Sequence, residues 1–370
     1  MPSPSKRRRH GTGRRRARKT ASTLTSGLKL AMRLASMATT ALNALTPKAA
    51  KPAKAPPKRA KRTAKVQGKA RQGASFRAGT HDSEHGARHY KLFTPGLAAD
   101  ARPPPLLVLL HGCGQTPDDF AKGTRMNALA AEFGFMVVYP AQPREAHPNR
   151  CWNWFSRDDQ ARGSGEPALL ASLTRRITHR HGADPARVYV AGLSAGASAA
   201  LILAATYPEI FAAVGAHSGL PAGAAQDQAS ALLAMQRGNP GWRLQHPKPT
   251  IIFHGSRDHV VHPRNGRLAA IRAREPYASL RATELAGQVP NGHRYVKTVH
   301  RVGSGRPLVE HWSIAGSGHA WSGGSSAGPF TDPKGPDASR EMVRFFLRHS
   351  LSARQRAALA ALLVTAQDGR

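Results

Sequence analysis

The sequence is poor in cysteine, in acidic residues and in long uninterrupted apolar runs. Only Cys113 and Cys151 occur in 370 residues, which excludes a disulfide-dense scaffold and a four-cysteine zinc site. Asp and Glu number 21 against 55 Lys and Arg, for a formal net charge of +34. The deficit is uneven. Residues 1–75 hold 21 of the basic residues and no Asp or Glu, so this stretch reads as a basic, disordered arm. Its most apolar part, residues 24–45, is broken by Lys29 and Arg33. That is too polar for a membrane span and too interrupted for a secretory leader; an amphipathic surface helix fits better. The Lys/Ala/Pro tract from Pro47 to Lys69 suits an extended linker or a contact with a polyanion, nucleic acid or a granule surface.

Beyond the arm the composition is ordinary. A domain of 76–352 is large enough for a substantial core, with residues 353–370 as a short helix and tail. Residues 89–93 alternate like an edge strand. The apolar run 106–110 reads as a strand buried on both faces, 134–140 and 188–191 as buried strands, and 211–216 and 250–254 as two further strands. Helical spacing covers 118–133, 166–181 and 339–349, and 296–302 with 309–314 suggests a hairpin or edge pair. Strand–helix alternation predicts an α/β fold: a mostly parallel central sheet with helices on both faces.

Within that frame, Gly192-Leu193-Ser194-Ala195-Gly196 stands between a buried strand and a small-residue helix, the layout of a nucleophile elbow. A second Gly-x-Ser-x-Gly, at 324–328, lies in a Gly/Ser-rich run with no preceding strand or following helix, so Ser326 reads as part of a flexible loop. A serine hydroxyl needs a base, and the base an orienting acid. Asp258 follows the strand 251–254, 64 residues after the serine, and His319 follows the strand around Trp312, a further 61 on. Serine, acid and histidine arrive in the order that this architecture requires. Ordinary structural or surface roles are expected for His217, His254, His262 and His293. His111-Gly112-Cys113-Gly114-Gln115 follows the first buried strand. It is positioned to offer the Cys113 N–H to an oxyanion, with the Ala195 N–H as second donor. Cys113 acting as the nucleophile itself is the alternative. No metal or cofactor is expected.

The segments 110–115, Arg150-Cys151-Trp152-Asn153-Trp154-Phe155, 192–196, Gly255-Ser256-Arg257-Asp258 with Val261 and Asn265, and Gly318-His319-Ala320-Trp321-Ser322-Gly323-Gly324 together resemble the polyhydroxybutyrate depolymerase/feruloyl esterase family of α/β-hydrolases. The resemblance runs from about Tyr90 to Leu347. It implies an α/β-hydrolase fold and a cofactor-free serine esterase with Ser194 as nucleophile, Asp258 as orienter and His319 as base. The implied substrates are short-chain hydroxyalkanoate polyesters or aryl esters, and the implied location is extracellular, with a cytoplasmic one as the alternative. It also gives the cysteines a reading, a Cys113–Cys151 disulfide tying two loops together, against two free thiols. Trp152, Trp154 and Trp321 become candidates for stacking on an acyl or aryl group, against plain core packing. The rival from another class is a DNA- or granule-binding protein in which the arm does the work and the domain is weakly active or inactive.

Overall fold

The computed structural model describes residues 73–98 and 101–368. Residues 1–72 of the basic arm, with the amphipathic helix expected at 24–45, lie outside the described residues, whereas Ser75 already belongs to β1; no described helix is long and apolar enough to cross a membrane. In chain order the elements are β1 (Ser75–Ser83), β2 (Gly86–Thr94), β3 (Leu106–Leu110), α1 (Pro117–Thr124), α2 (Met126–Phe133), β4 (Met136–Pro140), a 3-10 turn (Asp158–Gln160), α3 (Gly165–Arg180), β5 (Val188–Leu193), α4 (Ala195–Thr206), β6 (Ala213–His217), α5 (Gln228–Arg237), β7 (Thr250–Gly255), α6 (Arg264–Arg274), β8 (Arg281–Gln288), β9 (Arg294–Arg301), β10 (Val309–Ile314), β11 (Trp321–Ser322), β12 (Thr331–Asp332), α7 (Ala338–Phe346) and α8 (Ala353–Asp368).

Ten strands form one sheet in the order β1-β2-β4-β3-β5-β6-β7-β10-β9-β8. The six from β4 to β10 are parallel, and an antiparallel pair extends each side. The central strands are buried on both faces, so Leu106-Leu107-Val108-Leu109-Leu110 has no polar position to give away. Alternation sorts the side chains. Tyr189, Ala191, Leu193, Ile251 and Phe253 join α1, α2 and α7 in one core. Ala216 and Ile252 join Ala197 of α4 and Ala269, Ala270 and Ala273 of α6 on the other face. The register pairs Leu110 with Gly192, Leu193 with His217, His217 with Phe253 and Gly255 with Ile314. The residues beyond these positions therefore meet along the carboxyl edge of the sheet, where ligand sites form in open α/β folds.

Four expectations change. The helix over 118–133 is two helices, because Arg125 adopts φ 55° between them. That break frees the Gly123 carbonyl to accept from Ser325 N–H at 2.8 Å and the Arg125 guanidinium to donate to the Gly323 carbonyl at 2.8 Å. The segment around Ser326 is consequently a tied loop rather than a flexible one, and the short strand β11 does precede it. The strand over 211–216 begins at Ala213 and ends at His217. Two strands, β1 and β8, carry no apolar signature; β8 is exposed at nearly every position.

Candidate active site

Ser194 sits at φ 57°, ψ −121° between β5 and α4, a region that costs a non-glycine residue of order 1–3 kcal/mol and is held only by its surroundings. Those surroundings are close-packed backbone. A Cβ on Gly192 would lie 2.4 Å from the Gly196 carbonyl oxygen, and one on Gly196 would lie 2.3 Å from the Leu110 carbonyl oxygen. Only glycine fits at both places. The Ser194 N–H donates to the His217 carbonyl at 2.9 Å, so the turn is pinned to β6. The glycine contacts also bring the start of α4 against the end of β3.

That second contact creates the electrophilic side of the site. On the 111–115 turn the Gly112 N–H donates to Gln115 Oε1 at 2.9 Å, and the Gly114 N–H to the Asn149 carbonyl at 2.7 Å. The N–H groups of Cys113 and Ala195 have no partner among the described residues, and they lie on the two segments that abut. Two unclaimed donors next to a strained serine are what an oxyanion requires. The turn is held from three sides. Gln115 Nε2 donates to the Pro329 carbonyl at 3.1 Å, Trp152 Nε1 to the His111 carbonyl at 3.0 Å, and Cys113 is disulfide-bonded to Cys151. With its sulfur in that bond, Cys113 has no free thiol in this structure.

His111 is buried beneath the turn. Its Nε2 accepts from the Gln142 N–H at 3.1 Å, so the proton is on Nδ1, which donates to the Gly112 carbonyl at 2.9 Å. Burial lowers its pKa to about 4, and it contributes shape rather than charge. Beside it, Gln142 and both the main-chain and side-chain N–H groups of Asn153 donate to Glu166. Burial, with the Asp159 carboxylate adding to it, nevertheless raises Glu166 to about 7. This network fixes the loop that carries Cys151 and Trp152.

Asp258 and His319 lie in direct contact. His319 Nδ1 donates to Asp258 Oδ2 at 2.7 Å, while the N–H groups of Val260 and Val261 donate to Oδ1 at 3.0 and 2.8 Å. Burial alone would raise the Asp258 pKa. The charge of His319 and the hydrogen bonds from His254 and His319 overcome it and hold the carboxyl well below the usual carboxylate range, so it stays ionised at neutral pH. The loops of acid and base are zipped together: the Arg257 N–H donates to the Ser317 carbonyl at 3.0 Å, and the Gly316 N–H to Ser256 Oγ at 2.9 Å. His217 joins this pair to the elbow, since its carbonyl holds Ser194 and its Nε2 accepts from the Ser322 N–H at 3.0 Å. Among the described residues the Ser194 hydroxyl makes no hydrogen bond, so the serine–imidazole link is not formed in this state.

The tryptophans depart from the stacking expectation. Trp152 and Trp321 are fully buried; Trp321 donates to Ser339 Oγ at 3.0 Å and packs edge-on against Phe120 and face-on against His217. Trp154, 6% exposed, packs against Phe155. These rings are walls and props behind the site, not surfaces offered to a ligand. Three residues that composition and order do not reveal now matter: Gln115, His217 and His254. The last lies 3.4 Å from Asp258 Oδ2 through its Nε2. Its place four residues before the acid, at the end of β7, was the available signal.

The likeness to known proteins agrees with this geometry. The Esterase PHB depolymerase family matches residues 88–270. Poly(3-hydroxyalkanoate) depolymerase C of Paucimonas lemoignei is 34% identical over 244 residues, 62% of this chain and 57% of that protein. The chain thus spans little more than half the length of that relative. Feruloyl esterase B of Neurospora crassa is 30% identical over 240 residues, 59% of this chain and 79% of that protein. An acetyl xylan esterase from Aspergillus awamori shares the fold, with a TM-score of 0.55 at 22% identity over 66% of this chain and 94% of the other. With an α/β-hydrolase sheet, an elbow inside the matched residues and this identity over most of a feruloyl esterase, the chain belongs to the polyhydroxybutyrate depolymerase esterase family.

Proposed function

We propose that the protein is a cofactor-free serine esterase that hydrolyses carboxylic esters of the hydroxyalkanoate, feruloyl or short-acyl type. The observation that carries the reading is the pairing of a positive-φ serine with two unclaimed N–H donors, next to an imidazole held by an ionised aspartate. In this mechanism His319 takes the Ser194 proton as Oγ attacks the ester carbonyl, and a bound ester draws the serine–imidazole link tight. The Cys113 and Ala195 N–H groups hold the oxyanion; losing one such donor typically costs about 3–4 kcal/mol. The imidazolium then protonates the departing alcohol, and water cleaves the acyl-enzyme by the same steps in reverse order. Asp258 keeps the Nδ1–H tautomer and stabilises the charge that His319 acquires.

The substrate range rests on what the relatives are named for, a polyester in one case and feruloyl or acetylxylan esters in others. The disulfide supports a working location in an oxidising compartment, as outside the cell. The test is p-nitrophenyl butyrate turnover by wild type and Ser194→Ala, followed by amorphous polyhydroxybutyrate, methyl ferulate and acetylated xylan. Ser194→Ala should lose at least about 1,000-fold in kcat, as in triads generally, with the same melting midpoint. Activity retained in that variant overturns the assignment.

A further inference from the structure

The catalytic pair does not stand alone on Asp258. His254 is the penultimate residue of β7, four residues before the acid, and is 2% exposed. Its Nε2 lies 2.8 Å from the Val261 carbonyl and 3.4 Å from Asp258 Oδ2. Both neighbours are acceptors, which puts the ring proton on Nε2. The opposite nitrogen, Nδ1, is buried without a partner and faces Gly266 in the first turn of α6, where an added Cβ would come within 2.7 Å of it. A buried imidazole that leaves one nitrogen unsatisfied is costly, and here its other nitrogen is spent on the loop of the acid. Oδ2 is the oxygen that also receives His319 Nδ1.

We infer that His254 is a positioning residue for the esterase reaction: its Nε2–H donates to the Val261 carbonyl, and that bond keeps the nitrogen 3.4 Å from Asp258 Oδ2. That placement fixes the oxygen to which His319 is aligned and drains part of its negative charge. The inference rests on the proposed esterase reading for its kinetic consequence, but its electrostatic consequence belongs to the resting protein. A carboxylate relieved of one donor is a stronger partner for an imidazolium, so removal of His254 should make His319 more basic. The groups that face His254 leave this effect legible. His217 on β6 and His311 on β10 act on it, and burial brings their own pKa values down to about 3 and about 4; α6 presents Gly266.

The experiment uses the full chain as wild type, His254→Leu, His254→Gln and His254→Asn. Glutamine can carry an amide N–H to about the position of Nε2; asparagine is one methylene too short. The His319 ring is titrated by NMR in the absence of substrate, and kcat/KM for p-nitrophenyl butyrate is measured from pH 5 to 9. His254→Leu should move the His319 titration and the acid limb of kcat/KM upward by roughly half a pH unit or more, since a hydrogen bond to a charged group is worth about one unit in full. His254→Gln should restore both to within about 0.2 unit of wild type. Should His254→Leu fail to fold, His254→Asn carries the comparison against His254→Gln. An unchanged His319 titration in folded Leu or Asn variants, whatever happens to the melting midpoint, overturns the inference. A His319 titration that shifts on substitution as expected, in a protein that hydrolyses no ester, refutes the esterase reading instead and leaves the His254 result standing.

Discussion

Replacing Cys113 and Cys151 together by alanine separates the two jobs of their loop, stability and catalysis. The bridge closes 38 residues of sequence, from the turn after β3 to the loop before the 3-10 turn. In the chain-entropy treatment a loop of that length restricts the unfolded ensemble by about 13 cal/mol/K, or about 4 kcal/mol at 25 °C. For a domain of this size 1 kcal/mol corresponds to about 2–4 °C, so the melting midpoint should fall by roughly 8–16 °C. Activity should suffer less. The donor at position 113 is a main-chain N–H, which alanine keeps. The turn also retains the Gly114–Asn149 bond, the Trp152–His111 bond and both ends of the Gln115 amide. Turnover of p-nitrophenyl butyrate at 15 °C should stay within about tenfold of wild type, because these bonds leave the donor in place. Differential scanning calorimetry with and without dithiothreitol reads the first quantity. A double variant that melts within about 3 °C of wild type, or that reductant destabilises as much as wild type, would refute the reasoning.

Two further outcomes come from the packing. Gly196→Ala drives a methyl into the Leu110 and His111 carbonyl oxygens, both within 2.5 Å of the new atom; it should destabilise by about 1–3 kcal/mol or more and abolish ester turnover, and a calorimetric midpoint equal to wild type contradicts it. Glu166 is the pH-sensitive case. Its folded pKa is raised from 4.5 to about 7, chiefly by burial, so the stability it provides is fully present below about pH 4.5 and is lost as pH rises through about 7. A shift of that size corresponds to on the order of 3 kcal/mol. The stability of Glu166→Gln relative to wild type, from urea midpoints, should therefore improve between pH 5 and pH 8; a difference constant with pH contradicts this.

Much of the scaffold was legible because parallel, doubly buried strands are continuous apolar runs, as at 106–110 and 250–254, and because Gly192 and Gly196 mark a turn with no room for side chains. Asp258 and His319 were legible through chain order and the ends of strands. The features that stayed hidden depend on contacts far apart in sequence. β8 reads Arg-Ala-Thr-Glu-Leu-Ala-Gly-Gln and is a strand only because β9 pairs with it. The helix break at Arg125 answers to Gly323 and Ser325, some two hundred residues away. Trp152 and Trp321 looked like ligand surfaces by their neighbours in the chain, whereas their indole N–H groups are already spent on His111 and Ser339. His254 reads in sequence as one more structural histidine, since proximity to Oδ2 is a matter of how β7 ends and where α6 begins.

The amide of Gln115 has a consequence for how the protein comes into being. One side chain clasps, at Gly112, the turn that carries the proposed oxyanion donor Cys113, and reaches the Pro329 carbonyl, 214 positions later in the chain. One of the holds on this turn is therefore missing while the nascent chain still lacks its last loops, even though β3, β5 and the elbow are already synthesised. A growing or half-refolded chain can own its serine without being able to use it. Ester hydrolysis should thus appear as one of the last events of refolding, after the sheet's fluorescence and circular dichroism have settled.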